Sequence, residues 1–443
     1  MEKLGRTAVV MSRPAVAGIL LLLMIFSSIA DDVIGTEFYW PDWLAGTCGW
    51  LAALLLLLNI SVSQRWQTGF IAAAGAVLLM IADSRGSPID ISAAVGNNAA
   101  LISMIASVGF LRLVAMSADD KSSELPIGPA AYYKTLLGVS VFGSVINISA
   151  PILFADRLAA QNKLSRLASQ SLTRIFSGCS AWSPFFGGMA AVLINVPGMQ
   201  LQMVMLLCFP FALVGLLVVG LEAHIRYRHL LDKFHGYPVQ FSSMWVPAAL
   251  ALLVLLLSEI FPHWSVLSRI SVAALVLTVV VLLMRVGSSK TLANLVRHVT
   301  GQLPGMVNEL VLFLAAGVLA AGISSVVGAG LISVPLLSFH YLQASGLVIG
   351  MVLLSMVGIH PLVSVSGITP LLLTFDPDPN LLAVSYLLAW SLGTCASPLS
   401  GTHLVFQGRY GIPSWRGALW NWPYVTVMSG VAVLLLYTVD AIA

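Results

Sequence analysis

Apolar residues in this chain come in long runs that short polar segments separate. A helix needs roughly 17–25 mostly apolar residues to cross a bilayer. Two runs of this kind, at about 167–195 and 380–406, carry Pro and Gly in the middle, and nine others are continuous. The pattern predicts an all-α polytopic membrane protein with about eleven transmembrane helices. The continuous runs are 14–32, 43–62, 67–83, 97–117, 201–224, 246–262, 266–285, 307–327 and 420–440.

Two further apolar regions do not match a single crossing. Region 131–160 carries Asn147 in its middle, and region 335–375 carries His360 followed by Pro361. Each region is long enough to enter the bilayer and return, with a polar tip at the turn. Both are therefore predicted to be re-entrant helical hairpins. A single crossing kinked by proline is the alternative for each.

The two halves of the chain resemble each other weakly. The interruptions at 183–188 (SPFFGG) and 397–402 (SPLSGT) lie 214 residues apart, and a shift of about 213 places Asn147 on His360. Each half then has the order crossing, hairpin, broken crossing, crossing. Interrupted helices at matching places in two halves are typical of the binding sites of secondary transporters.

Basic residues indicate how the halves are oriented, because positively charged loops remain in the cytoplasm. The bias is strong if the N-terminus is inside, the first hairpin opens inward and the second opens outward; Arg85 and Arg269 are the exceptions. The chain is therefore predicted to contain two inverted repeats, with a cytoplasmic N-terminus and an external C-terminus, in the inner (cytoplasmic) membrane. The cytoplasmic positions are Arg65, Arg112, Lys121, Lys134, Arg157, Lys163, Arg166, Arg174, Arg226, Arg228, Lys233, Arg285, Lys290, Arg297, Arg409 and Arg416.

These elements divide the chain into four parts. Residues 1–66 hold N-terminal scaffold helices and 67–224 the first repeat, 225–265 form an inner linker with a connecting helix, and 266–443 hold the second repeat. The first apolar run follows a basic N-terminus and also resembles a signal peptide, so both its retention and its cleavage stay open.

Composition narrows the classes of function. The chain is 58% hydrophobic and 9% charged, whereas soluble domains carry roughly 25% charged residues. No C-x-x-C, H-E-x-x-H, G-x-S-x-G or Walker sequence is present, so an enzyme is not predicted. No basic-aromatic stretch points to nucleic acid. The expected partners are a small-molecule solute and the lipid bilayer, and no cofactor is expected beyond a coupling ion.

The stretch 397–406 (SPLSGTHLVF), with the order of elements over 67–440, resembles the ion transporter superfamily. This group includes divalent-anion/sodium symporters, citrate and arsenite carriers, and the large subunits of tripartite (TRAP-type) carriers. The resemblance implies an elevator-like movement, a homodimer, and coupling to Na⁺ or H⁺. The hairpin tips read NIS at 147–149 and HPL at 360–362. The divalent-anion symporters carry Ser-Asn-Thr there, so no subfamily is assigned.

Hairpin tips and interrupted helices expose half-helix N-termini, which bind anions, and half-helix C-termini, which suit a cation such as Na⁺. A sodium site is predicted near Asn147 and Thr402. Each hydroxyl taken singly is more often a helix-packing group, so the prediction depends on their clustering around the four interruptions. The predicted substrate-binding residues are Asn147, Ser149, Ser183, Gly187, Gly188, His360, Ser364, Ser397, Gly401 and Thr402.

Ionisable residues inside a membrane are candidates for ion coupling. Glu309 lies near the inner end of its span, and His360 and His403 lie deep in the second half. A histidine titrates near neutral pH, so either ring can carry a proton. The alternatives are a helix-start carboxylate for Glu309 and hydrogen-bonded structural rings for the two histidines.

The function predicted from these features is secondary active transport of a small, anionic organic solute. Two other interpretations stay open. One is an ion/proton antiporter, and the other is the membrane permease subunit of a multi-component carrier.

Overall fold

Helices form the regular structure of the residues that the computed structural model describes, which are 12–34, 42–115, 125–160, 163–237, 245–332 and 338–442. The predicted cytoplasmic Lys121, the first eleven residues and the start of the second hairpin region (335–337) lie outside these ranges. The helices are α1 Arg13–Ile34, α2 Asp42–Leu56, α3 Val62–Asp83, α4 Ile91–Gly96, α5 Ala99–Gly109, α6 Arg112–Ala115, α7 Pro129–Ile146, α8 Ser149–Leu158, α9 Arg166–Trp182, α10 Gly187–Asn195, α11 Leu201–Arg226, α12 Arg228–Leu231, α13 Trp245–Ile260, α14 Val266–Arg297, α15 Val307–Gly328, α16 Tyr341–Met356, α17 Pro361–Leu372, α18 Pro379–Ala396, α19 Gly401–Tyr410 and α20 Ser414–Asp440.

Eight segments within the described ranges are long and apolar enough to cross a membrane, and four shorter apolar helices accompany them. Every predicted span falls on one or more of these helices. The segment Val266–Gly328 has 63 residues and is too long for one crossing. Gly287, with φ 75°, interrupts it. The protein is therefore a polytopic helical membrane protein, as predicted.

The predicted span 97–117 falls on the membrane-length segment Ile91–Val114, but this segment is not one continuous helix, because the structure divides it into α4, α5 and α6. The backbone leaves the helical region at Asn98, where φ is −108° and ψ is 11°. The Asn98 side chain donates from Nδ2 to the Phe313 carbonyl of α15 at 2.8 Å. This bond between helices holds the irregular backbone in place, and a hydropathy pattern does not reveal it.

Helices α7 and α8 form a hairpin, because α7 and α9 run in the same direction. Tyr132 Oη lies 2.8 Å from Ser171 Oγ near the start of both helices. Ser183 Oγ donates to the Ser144 carbonyl near their ends. Both contacts join residues 39 positions apart, so α7 and α9 are parallel. Helix α8 lies between them in the sequence and must therefore run in the opposite direction.

Helices α16 and α17 form a second hairpin against α18. Thr369 Oγ1 lies 2.8 Å from Tyr386 Oη. An ideal Cβ at Gly393 would lie 3.2 Å from Pro361 Cγ and 2.5 Å from Ser355 Oγ. The start of α17 thus lies beside the end of α18, so the two helices are antiparallel. The end of α16, at Ser355, also lies beside Gly393 near the end of α18.

The two interrupted pairs, α9 with α10 and α18 with α19, cross in opposite directions. They meet in the middle, where Ser391 Oγ donates to the Ser177 carbonyl at 2.7 Å across a separation of 214 residues. At one end, the Gln200 N–H donates to Asn380 Oδ1 at 2.9 Å. At the other end, Arg409 pairs with Asp156 at 3.0 Å. The end of each pair therefore lies beside an element of the other half.

These contacts define two groups of helices. The hairpin body comprises α7–α11 and α16–α20, and the scaffold comprises α1–α6 and α13–α15; each group packs mainly within itself. Between the groups, α17 packs on α15, and α10 and α7 pack on α5. Gly367 faces Leu319 and Ile323 across this boundary.

Gly75 permits the closest approach within the scaffold, where α3 packs along α15. An ideal Cβ at Gly75 would lie 2.6 Å from backbone atoms of Val318 and Leu319, which have no freedom to move aside. Replacing Gly75 by Ala should therefore lower the free energy of unfolding by about 1–3 kcal/mol, the usual cost of overpacking. Thermal denaturation of the purified protein in detergent measures the change.

Gly69 in the same helix provides the control. Its ideal Cβ would meet nothing within 4 Å. Alanine there should leave the melting temperature unchanged or raise it slightly, because alanine favours a helix over glycine. Equal melting temperatures for the two variants would contradict the packing of α3 on α15.

Candidate functional site

Both helix interruptions have the same local geometry. Ser183 closes α9 with φ −77° and ψ 131°, and Ser397 closes α18 with φ −80° and ψ 127°. Each serine Oγ accepts a hydrogen bond of 3.2 Å from the backbone N–H two residues later, that of Phe185 or Leu399. The Ser-Pro sequence thus ends each helix and immediately satisfies one N–H that the ending exposes.

The two hairpin tips use different turns. Asn147 ends α7 with φ 53° and ψ −141°, an uncommon conformation for a residue other than glycine. Gly358 provides the positive φ, 96°, at the second tip. His360 then caps α17, since its Nδ1 accepts from the Leu362 N–H at 3.2 Å.

Tips and interruptions from both halves converge. An ideal Cβ at Gly401 would lie 3.1 Å from Ile148 Cδ1 at the first tip. The His360 ring at the second tip is 5.3 Å from the Trp390 ring, edge to face. An ideal Cβ at Gly188 would lie 3.0 Å from the same indole ring. One aromatic side chain therefore joins the second tip to the first interruption.

A central cavity of about 310 Å³ lies where these elements meet the scaffold. Its lining includes both tips and the first residues after both interruptions, and the scaffold contributes α5, α6, the segment 298–306 and α15. The lining residues Arg112, Gln302 and Gly305 are exposed, so the cavity opens to solvent. The predicted site residues on its surface are Asn147, Ser149, Gly187, His360, Gly401, Thr402 and Glu309.

Five predicted site residues are not in this lining. Ser183 and Ser397 use their hydroxyls within the turns, and Gly188 lies under Trp390. Ser364 is buried in α17. His403 is buried in α19 and makes its hydrogen bonds away from the cavity lining.

Four half-helices begin at the cavity surface: α8, α10, α17 and α19. His360 and Ser400 cap α17 and α19 with their side chains. The residues before α8 and α10 are Ile148 and Phe186, which have no side-chain acceptor and make no cap. Each helix N-terminus carries roughly half a positive charge, and its free N–H groups bind anions. The surface is therefore suited to a negatively charged group, most directly at α8 and α10.

Charged and polar groups of the scaffold face the same cavity, and most of them were not predicted as site residues. Arg112 at the start of α6 lies at the cavity surface with Glu309, His298 and Gln302. None of the ion pairs among the described residues involves Arg112 or Glu309. The sequence signal that could have found Arg112 is an arginine within a predicted span.

Two buried polar atoms beside the cavity have no hydrogen-bond partner. They are Oγ1 of Thr402, a residue that is 1% exposed, and Nε2 of His298, a residue that is 4% exposed. Nearly all buried polar groups in folded proteins are paired with protein or water. Because both residues line the cavity, a bound molecule or water can supply the missing partners.

Apolar side chains form most of the remaining cavity wall. The ring centroids of Phe313 and Trp390 lie 6.0 Å and 5.3 Å from that of His360. Phe176 and Phe186 also pack together there, with ring centroids 5.2 Å apart. A bound molecule would therefore meet aromatic surface as well as helix N-termini.

Within the part of the chain that is described, no group of three or more His, Cys, Asp or Glu side chains is placed to hold a metal ion. The predicted sodium site near Asn147 and Thr402 would use hydroxyl, amide and carbonyl oxygens instead. Both residues lie at the central cavity. Sodium binding there stays a prediction.

The assignment of Arg174 to a cytoplasmic loop is wrong. Arg174 lies within α9, its side chain is 3% exposed, and it is paired with Glu222 of α11. It also donates to Asn421 Oδ1 and to the Trp420 carbonyl, both at 2.9 Å. These partners offset the cost of burying the guanidinium. They lie 48 to 247 residues away in the sequence, so hydropathy gave no sign of them.

No family model matches the chain, and no curated protein matches it. The chain is similar in structure to the YdaH transporter of Alcanivorax borkumensis, whose crystal structure is described as revealing an unusual topology. The two are 12% identical, the match covers 97% of this chain and 84% of that one, and the TM-score is 0.38. A likeness at this level supports no functional inference, and the superfamily resemblance stays a prediction.

Removing the unpaired hydroxyl of Thr402 should stabilise the protein in the absence of a ligand. Replacing Thr402 by Val keeps the shape and removes a buried polar group without a partner. We expect the free energy of unfolding to rise by about 1 kcal/mol, the lower range of the cost of such a group. Thermal denaturation in detergent is the measurement.

Thr369 provides a matched control, because it is equally buried and its Oγ1 bonds the Val365 carbonyl and Tyr386 Oη. Valine at position 369 should lower the melting temperature, since it leaves Tyr386 without this partner. Equal losses for both valine variants would show that the Thr402 hydroxyl is paired in solution.

Proposed function

We propose that this protein is a secondary active transporter for a small organic anion, which binds in the central cavity. One observation carries the proposal. Four half-helix N-termini from two hairpins and two interrupted helices converge on one solvent-open cavity beside Arg112. Backbone of this kind is tolerated at membrane depth only where it faces protein or lines a cavity.

The two halves of the chain are proposed to be inverted repeats. The matching serine turns at Ser183 and Ser397 support this, as does the opposite direction of the two interrupted pairs. Inverted repeats let one central site open to either side of a membrane.

The orientation is proposed from charge. Lys163, Arg166 and Arg409 lie at the end where α8 and α19 finish, and Asp376 and Asp378 lie at the opposite end, before α18. The positive-inside rule then places the first end in the cytoplasm. The N-terminus is cytoplasmic, the C-terminus is external, and the protein resides in the inner membrane.

The cavity mouth is proposed to face the cytoplasm. The scaffold segment 298–306 lines the mouth and packs beside Gly18, near the start of α1. The other end of α1 is bonded through Asp32 to Ser265, where α14 begins. If the N-terminus is cytoplasmic, the structure is the inward-facing state of the carrier.

Alternating access is proposed to be a movement of the hairpin body along the scaffold. Small residues of the hairpin body face larger side chains of the scaffold, as Gly367 faces Leu319 and Ile323, and Gly187 faces Ile105. An apolar boundary has few directional bonds to break when it slides. The bond from Gln67 Nε2 of α3 to the Gly358 carbonyl, at 3.2 Å, crosses the boundary and would have to break. The apolar packing supports the elevator-like movement that the superfamily resemblance implies, and the homodimer stays a prediction.

The solute is proposed to combine an anionic group with an apolar portion. The half-helix N-termini and Arg112 supply attraction for the charge, and Phe313, Trp390 and their neighbours supply apolar contact. Inorganic anions such as sulfate would leave this aromatic wall unused.

Na⁺ or H⁺ is proposed as the coupling ion. Glu309 and His360 face the cavity and are the candidates for carrying a proton. His403 has both ring nitrogens engaged, with the Ser397 carbonyl at 2.8 Å and Asn421 Nδ2 at 3.2 Å. Its geometry therefore favours the structural alternative.

An ion/proton antiporter is the second candidate function. The observation in its favour is that Glu309 lines the cavity outside the ion pairs of the described residues. A pH jump that drives sodium flux without any organic solute, and a Glu309→Gln variant that loses this flux, would favour the antiporter over the anion carrier.

Uptake into proteoliposomes tests the anion carrier. Under an imposed sodium or pH gradient, we expect radiolabelled benzoate or butyrate to accumulate, and sulfate not to. Arg112→Gln should raise the apparent KM about three- to tenfold, the loss expected for one charge-assisted contact near solvent. Arg228→Gln, an exposed residue of α12 outside the cavity, should leave KM unchanged. Absence of gradient-driven flux for every organic acid tried would remove the basis of the proposal.

Chemical cross-linking tests the relative movement. An ideal Cβ at Gly367 would lie 3.6 Å from Ile323 Cδ1. In the double variant Gly367→Cys, Ile323→Cys, a mercuric ion should therefore bridge the two thiols. We expect transport to stop on bridging and to return when a thiol removes the metal. The native cysteines Cys48, Cys179, Cys208 and Cys395 are all buried, and single-cysteine variants control for them. Full transport in the bridged protein would rule out movement at this boundary.

A further inference from the structure

A continuous line of buried polar side chains runs behind the second interruption. Arg174 of α9 is paired with Glu222 and donates from Nε to Asn421 Oδ1 at 2.9 Å. Asn421 Nδ2 lies 3.2 Å from Nε2 of His403, and His403 Nδ1 lies 2.8 Å from the Ser397 carbonyl. The line thus connects α11, α9 and α20 to both sides of the break between α18 and α19.

Each hydrogen bond in this line fixes the direction of the next. Arginine has only donors, so the atom of Asn421 that faces Arg174 is its oxygen, and the amide nitrogen faces His403. Nε2 of His403 must then accept, which places the ring proton on Nδ1. The Nδ1–H donates to the Ser397 carbonyl, which can only accept. The tautomer of His403 is therefore set by Arg174 through one amide.

The His403 ring bridges the interruption itself. Ser397 closes α18, and His403 is the third residue of α19. Between them, Ser400 caps α19, with its Oγ 2.9 Å from His403 Nδ1. The neighbouring Gly401 and Thr402 form part of the cavity surface. The ring thus determines where this part of the surface lies relative to α18.

The first interruption has no histidine at the position that corresponds to His403. A shift of 214 residues places His403 on Met189, an apolar side chain. Ser183 instead bonds its own hairpin at the Ser144 carbonyl. The second interruption depends on a side-chain line that reaches into the first half of the chain.

We propose that Arg174 is a positioning residue for the cavity, which acts through Asn421 and His403 to hold the start of α19 in place. The inference rests on the proposed function only in treating Gly401 and Thr402 as solute-contacting. An arginine in a membrane span is costly unless its donors are satisfied. The rigid, planar guanidinium group of Arg174 fixes the orientation of the Asn421 amide, which a flexible lysine would not do.

Three variants break the line at successive links. Arg174→Lys keeps a positive charge beside Glu222 and loses the planar Nε donor to Asn421. Asn421→Leu removes the amide between Arg174 and His403. His403→Gln places its amide near the position of Nε2 and loses the bond from Nδ1 to the Ser397 carbonyl. Ser385→Ala, a buried hydroxyl of α18 outside this line, is the matched control.

Hydrogen–deuterium exchange in lipid nanodiscs reads out the position of α19 without requiring a known solute. In Arg174→Lys, Asn421→Leu and His403→Gln, amides of 397–406 should exchange at least tenfold faster, and those of 183–192 should not change. Ser385→Ala should match the unmodified protein in both segments. Equal acceleration in both segments, or an Arg174→Lys variant that exchanges like the unmodified protein, would overturn the proposal. Because transport is not measured, failure of the carrier hypothesis would not produce either outcome.

Discussion

Backbone groups freed inside the bilayer are the constraint on which the rest of this structure depends. A helix that stops at membrane depth exposes N–H and C=O groups that lipid cannot satisfy. At both interruptions the serine that ends one helix accepts the N–H of the residue two positions later, Phe185 or Leu399. The N–H groups that begin α8 and α10 have no side-chain cap, and those helices start at the central cavity. At the cavity surface these N–H groups are accessible to hydrogen-bond acceptors that lipid cannot provide.

The elements that depend on local chemistry could be predicted from the sequence. Apolar length predicts a span, and Ser-Pro followed by Gly predicts an interruption, because both effects act within a few residues. The break between α4 and α5 at Asn98 could not be predicted, since it depends on a bond to the Phe313 carbonyl of α15. The sequence places Arg174 in a loop for a related reason. The positive-inside rule assigns a side of the membrane correctly only to basic residues in loops. Arg174 is instead buried within a helix, where it is paired with Glu222 of another helix.

At the candidate site, the sequence predicts which polar residues are present but not which of their atoms are free to bind a molecule. Composition around the interruptions predicts polar groups near the cavity, and Asn147, Gly401 and Thr402 do lie at its surface. Whether a hydroxyl remains free depends on whether a nearby backbone group forms a hydrogen bond with it. Ser183 and Ser397 are used in the turns, whereas Thr402 keeps a free oxygen. In the scaffold wall the sequence predicts Glu309, but not that Arg112, His298 and Gln302 lie beside it, because these side chains come from segments that meet only in the folded protein.

The two halves share the geometry of their interruptions but not the means of holding them. Ser183 ties the first interruption to its own hairpin, and His403 ties the second to α20 and, through Asn421, to α9. The hairpin body is therefore joined across the halves by directional bonds, including that from Ser391 to the Ser177 carbonyl. Its boundary with the scaffold at Gly367 is instead apolar and smooth. The second tip is also bonded to the scaffold, because Gln67 Nε2 of α3 donates to the Gly358 carbonyl at 3.2 Å. The bonds between the halves hold both helix interruptions beside the cavity, whereas contact with the scaffold combines apolar packing with this bond at the tip.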